Sequence, residues 1–206
     1  MMNDDVKKQS AGSRLREWQR EHTQTAILTA AEAVLAEEGL AARIDAIAQR
    51  AGVAVGTLYN HFGDRDALVQ AALDHNRATL LAAMDAVLAT PSTDFDTDLK
   101  RFVSALADHW RQHGAFLTAV LTEHCRSEVF ASKRSLLKTE MHDKARGLIA
   151  RGVACGRVRA GHDDLFAEYL LGLVRIHVVQ QAMLGLPIPD LNPTIDLFLH
   201  GAVPRT

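Results

Sequence analysis

Cysteine is scarce in this chain. Cys125 and Cys155, two in 206 residues, make neither a disulfide framework nor a zinc site. Long apolar runs are absent too. None approaches the ~20 residues needed to span a bilayer, and the opening MMNDDVKKQSAGSRLREWQREH lacks the apolar stretch of a signal peptide. A cytoplasmic protein with no membrane contact is the expectation. Aromatics amount to 5%, and no segment alternates polar with apolar residues for long enough to make a strand. No GxSxG, HExxH, P-loop or GxGxxG occurs, so catalysis has no organising motif and no cofactor or metal is expected. Strong charge of either sign is also missing. The net charge is −2, and a DNA partner would have to be met by placement of charge rather than by bulk.

What is present is helical periodicity. The spacing predicts a frayed or disordered arm over residues 1–22, with Ser13 able to cap a helix. A helix follows to about Glu38, with Ile27, Ala30, Ala31, Val34 and Leu35 as its apolar stripe and Gly39 as its stop. Short helices are predicted at about 44–51 and 55–61, then a long one to about Leu88 with Asp64 as its N-cap. Beyond the TPST break at 90–93, helices are predicted at roughly 95–112, 115–125, 128–154, 163–184 and 192–200. The expected fold is all-α with about nine helices: an arm (1–22), a three-helix head (23–68), and a long helix leading into a helical body (69–206).

The stretch IDAIAQRAGVAVGTLYNHFGDRDAL, Ile44–Leu68, reads as a helix-turn-helix. Two short helices crossing steeply need a small residue where they touch, and Ala48 supplies it. The turn needs a residue comfortable at positive φ, and Gly52 is the cheapest choice. Leu58 plugs the second helix back onto the first. That second helix would enter a major groove. Glu32, Glu37 and Glu38 lie on the preceding helix, where they have room to point away from a duplex.

Helix 163–184 is apolar on two sides. Leu165, Tyr169, Gly172, Ile176, Val179 and Met183 form a seam in steps of four and three. Phe166, Leu170, Leu173, Val174 and His177 form a second face. Such a helix is either the centre of a monomer core or lies between its own body and a second subunit, and the dimer is favoured because groove-reading heads act in pairs.

AGVAVGTLYNHFGDRDALV closely resembles the signature of TetR-family transcriptional regulators, and ILTAAEAVLAEEGLAARIDAIAQR resembles the two helices before it. The resemblance is strong over about 24–70. It implies a homodimeric, ligand-responsive regulator, most simply a repressor, whose heads bind successive major grooves of a palindromic double-stranded operator. A small apolar effector would enter the body and change the separation of the heads. By the same resemblance Tyr59 and His61 touch phosphates, Thr57 approaches a base edge or a phosphate, and Arg65 stands where a phosphate-pairing lysine is common. Gly56 admits close backbone approach, and Asn60 is a further candidate for DNA contact. The chain departs from the pattern at Ala54 and Val55, where a capping Ser or Thr and a polar reader are usual, and at Arg43, which replaces a Ser or Thr and is a candidate to reach a phosphate or base instead. Val55 offers an apolar contact only. The alternative reading is a helical small-molecule-binding or scaffolding protein without specific DNA binding.

For the effector, Phe102, Leu106, Trp110 and Phe116 are inward candidates on the first body helices. Leu121, Met141, Phe166 and Leu170 complete the lining. His177 is either a core histidine or the polar anchor of the site. His109 and His113 stand at i, i+4, and His124 precedes Cys125, but no further ligand completes a metal set.

Overall fold

The computed structural model describes residues 2–123 and 128–202. His124 and Cys125 lie outside them. Among the described residues there are eight α-helices, one 3-10 turn and no strand, in agreement with the all-α expectation of about nine helices. They are α1 (Met2–Glu38), α2 (Ile44–Ala51), α3 (Val55–Phe62), α4 (Arg65–Ala89), α5 (Phe95–Glu123), α6 (Glu128–Ala154), α7 (Asp163–Leu184) and α8 (Asn192–Ala202). The 3-10 turn Gly39–Ala41 joins α1 to α2. The chain divides into two compact units, Met1–His75 and Asn76–Thr206, and the division falls inside α4.

In the first unit α1 packs on α2, and α2 on α3. The apolar stripe expected on α1 is buried at Ile27, Ala30, Ala31, Val34 and Leu35. Glu32 is buried beside it, so of the three glutamates expected to point outward only Glu37 and Glu38 are exposed. Glu37 pairs with Arg50 at 2.7 Å and ties α1 to α2. The expected arm is helical in this structure, because α1 begins at Met2. Its sequence of Arg, Glu, Gln and Lys favours a helix, while residues 13–22 are all exposed and hold on to no core. Local bonds support it: the Thr23 and Thr25 hydroxyls donate to carbonyls one turn back, and the Trp18 ring stacks on His22 at 4.9 Å.

In the second unit α6 and α7 pair, α5 packs on α6, α7 and α8, and α8 closes on α7. Its core joins Leu80, Met84 and Val87 of α4 to Phe102 and Leu106 of α5, Leu148 and Ile149 of α6, Leu170 and Val174 of α7, and Phe198 of α8. Sequence reasoning split α5 at about 112–115, around Gly114. The helix runs through, because Gly114 is buried against α7 and tertiary packing overrides the glycine's poor propensity. Gly152 allows the closest approach in this unit. A Cβ there would lie 2.6 Å from Phe95 Cζ and from Val158 Cγ2. Asp98 is fully buried at the start of α5, where the Ser92 N–H donates to Oδ1 at 2.9 Å, Arg101 reaches the same oxygen at 3.3 Å and Arg151 pairs with Oδ2. Burial opposes ionisation of this carboxyl, but the Ser92 and Arg151 donors outweigh it and hold the pKa below the usual value.

Candidate nucleic-acid interface

The turn between α2 and α3 is built by Gly52. Its φ is +68°, in the left-handed region that an L side chain rarely adopts. Its N–H bonds the Gln49 carbonyl at 3.1 Å, and the Val53 N–H bonds Ala48 O at 3.0 Å, the paired closure of a Schellman motif. Ala48 and Ile47 are buried where α2 meets its neighbours, and Leu58 anchors α3 from below with no exposure. Gly63, at φ +79°, then ends α3, and the Asp64 side chain caps α4 by accepting the Ala67 N–H at 2.7 Å.

Anchoring α3 by Leu58 turns the remaining positions outward. Gly56, Tyr59 and Asn60 are exposed, with Tyr59 at 45%, while Val55, Thr57 and His61 are half-buried. A Cβ on Gly56 would meet nothing within 4 Å, so the backbone there is open to a close partner. The exposed Tyr59 and Asn60 side chains carry hydrogen-bond donors and acceptors suited to base edges and phosphate oxygens. No side chain caps α3 at Ala54, as the sequence implies. Arg43 occupies the N-cap position of α2 and is exposed, with Nη2 2.7 Å from Asp45 Oδ2. The hydrogen bond from Arg43 to Asp45, and then the Asp45 charge, raise the Arg43 pKa. Arg65 is half-buried and donates from Nη2 to the Ala42 carbonyl at 3.4 Å, a contact with its own fold that sequence reasoning did not foresee.

The candidate sites of the body fall in two groups. On α7, Leu165, Tyr169, Ile176, Val179 and Met183 are all exposed, from 41% to 77%, and a Cβ on Gly172 would meet nothing within 4 Å. On the opposite face Phe166, Leu170 and Val174 are buried, and Leu173 and His177 are half-buried. Of the candidate effector lining, Phe102, Leu106, Phe166 and Leu170 belong to one continuous core, against which Trp110 and Met141 pack. Phe116 is buried as well, and the Leu121 side chain lies outside the described part. Three polar residues next to these were missed: Asn76, Asp98 and Gln181. Asn76 had a signal in the sequence, because it falls in register with the inward stripe Leu68, Ala72, Leu80 and Met84 of α4. Among the described residues no group of three or more His, Cys, Asp or Glu is arranged to hold a metal ion, and no helix is long and apolar enough to cross a membrane.

Residues 27–72 match the family model of the bacterial regulatory proteins of the tetR family. Over these residues the head is similar to that family. No curated protein matches the chain. Solved structures do. The TetR-family regulator PfmR from Thermus thermophilus is 22% identical, with a TM-score of 0.67 over 87% of this chain and 99% of that one. A TetR regulator from Haloarcula marismortui is 17% identical, with a TM-score of 0.76 over 89% and 100%. FadR from Bacillus subtilis, solved in complex with stearoyl-CoA, is 20% identical, with a TM-score of 0.69 over 86% and 98%. At these identities the likeness is one of fold, and it extends over both the head and the helical body.

Proposed function

We propose that the chain is a homodimeric repressor that binds a palindromic operator and leaves it when a mainly apolar effector enters the body. The observation that carries this reading is the pair of apolar faces on α7, one buried in the body and one bare, in a chain with a groove-reading head. Tyr169, Ile176 and Met183 on the bare face are large, and covering such side chains stabilises a dimer by ~1.5–3 kcal/mol each where burial is complete. Two heads then address half-sites ~34–36 Å apart, or a multiple of that. Tyr59 and His61 supply phosphate contacts, Thr57 and Asn60 face base edges or phosphates, and Val55 offers a thymine methyl an apolar partner. The apolar character of the effector is supported by the inward faces of α5 and α7, rich in Phe and Leu, and by the stearoyl-CoA held by one similar protein.

Fluorescence anisotropy with the DNA upstream of the protein's own gene, together with sedimentation analysis, tests the proposal. Specific binding by a dimer supports it, and salt-independent or absent binding overturns it. A second reading, a helical ligand-binding protein without specific DNA recognition, draws on two observations. The Arg43 charge is already met by Asp45, and α3 lacks a side-chain cap. Under that reading the same experiment returns no preference for the upstream DNA.

A further inference from the structure

The reader helices carry little fixed charge. Between Ile44 and Phe62 the Asp, Glu, Lys and Arg residues are Asp45 and Arg50 alone. Arg50 is drawn towards α1 by Glu37. On α3 the exposed Gly56, Tyr59 and Asn60 bring no charge. Asp45 holds the cation that precedes α2: Arg43 donates from Nη2 to Asp45 Oδ2 at 2.7 Å. Both side chains lie largely in solvent, 81% and 61% exposed. An ion pair so exposed adds little to stability, because water screens it. Its place suggests another use. The Ala42 carbonyl, next to Arg43 in the chain, accepts from Arg65 at 3.4 Å. Arg43 thus starts beside the first turn of α4, where the candidate phosphate partner stands.

The pairing decides what Arg43 suits. Attraction to phosphate is Coulombic and grows with net positive charge. The Arg43–Asp45 pair is neutral as a whole, and a phosphate drawn to the guanidinium would also meet the Asp45 carboxylate. A base edge is neutral and is read by directional hydrogen bonds, which the pair retains. Asp45 takes one guanidinium donor, and the exposed remainder is still a planar fork. In the major groove guanine presents two adjacent acceptors, O6 and N7, which match such a fork. Adenine sets a donor beside its acceptor and would meet the guanidinium donor to donor. Holding the long side chain in place before binding also lowers the cost of ordering it on the duplex.

We infer that Arg43, held by Asp45, reads a guanine in each half-site of the operator. The inference rests on the DNA-binding reading above and names a base that the head selects. Arg43 is the reading residue, and Asp45 is a positioning residue that turns a general phosphate binder into a base reader.

Selection from a library of randomised DNA duplexes tests it, with the full-length parent, Arg43→Ala, Arg43→Lys and Asp45→Asn. Anisotropy at several salt concentrations then compares the selected duplex with one in which the G·C pair is changed to A·T. Both positions are exposed, so the variants should fold, and thermal melting checks this. The parent is expected to enrich one G·C pair per half-site and to lose about tenfold in affinity when it is changed. Arg43→Ala and Arg43→Lys are expected to bind the two duplexes alike, since lysine keeps the charge but not the fork. Asp45→Asn frees the Arg43 charge for phosphates. It is expected to bind both duplexes more tightly at low salt, to steepen the slope of log K against log salt by about one unit, and to narrow the G·C preference. An Arg43→Ala protein that keeps the full preference overturns the inference. So does one that weakens equally on every duplex while its salt slope falls by about one unit, which is the mark of a phosphate contact. An Asp45→Asn protein with unchanged slope and preference overturns the role of Asp45. In these cases an enriched motif leaves the operator reading standing. A parent that enriches no motif at all overturns the operator reading and this inference with it.

Discussion

The Arg65 guanidinium donates to the Ala42 carbonyl across 3.4 Å, fastening the first turn of α4 to the segment between α1 and α2. The same side chain is the candidate phosphate partner, so its removal has two consequences that separate experimentally. Arg65→Ala should lower stability by about 1 kcal/mol through the lost charged hydrogen bond, which is half-buried. It should weaken DNA binding on all sequences alike and reduce the slope of log K against log salt by about one unit. Urea denaturation and anisotropy at several salt concentrations read the two effects. A stability loss with an unchanged salt slope makes Arg65 a positioning residue of the fold alone.

Gly56 gives the opposite pattern. Space around it is open and its φ is ordinary, so Gly56→Ala is tolerated by the fold and should raise stability by ~0.5–1 kcal/mol in helix α3. If the backbone at Gly56 lies against the duplex, the added methyl should cost operator affinity while the melting temperature rises. Unchanged affinity would place the DNA elsewhere on α3.

Much of this head was legible in the sequence because its constraints are local. Gly52 is forced by positive φ, Leu58 by helical spacing and Asp64 by capping, and each lies where it was expected. The body was legible to the extent that its helices are bounded by Pro and Gly, as for α7, which ends at Gly185. Gly114 misled because its role is set by Gln181, 67 positions away in the chain, and no local signal carries that. Asp98 and Arg151 escaped for the same reason: each reads as a solvated helix residue until the fold brings them together.

Gly172→Leu tests the dimer seam. Among the described residues nothing lies within 4 Å of a Cβ at this position, so the variant should fold, with a leucine favouring the helix by ~1 kcal/mol over glycine. In a dimer paired along the outer face of α7, the new side chain should hold the two helices apart and raise the dissociation constant. Sedimentation velocity across a concentration series checks this. A variant that remains as dimeric as the parent moves the contact away from Gly172. DNA affinity should fall together with dimerisation, since a single half-site keeps only part of the binding energy.

Gly152 provides the contrasting glycine. A methyl there would overlap Phe95 and Val158 at 2.6 Å, and both are buried. Gly152→Ala should therefore destabilise the body by ~1–3 kcal/mol despite alanine's better helix propensity. Chemical denaturation measures it. A more stable variant would mean that the Phe95 ring moves aside at little cost.

His109 should make stability depend on pH at mildly acidic values. Its pKa falls from 6.5 to about 4 in the folded protein, because burial disfavours the cation and His113 adds to the effect. Between those two values the unfolded chain binds more protons at this site than the native one, so stability rises with pH. The contribution is fully present above about 6.5 and is lost as the pH falls towards 4, to a total on the order of 3 kcal/mol. His109→Gln removes the titration while keeping a side-chain amide able to reach Asn76. The difference in unfolding free energy between the parent and this variant should therefore grow steadily more favourable to the variant as pH drops from 6.5 to 4.5. Parallel pH profiles for the two proteins would mean that the His109 imidazole is hydrated in solution and that its bond to Asn76 does not exclude the proton.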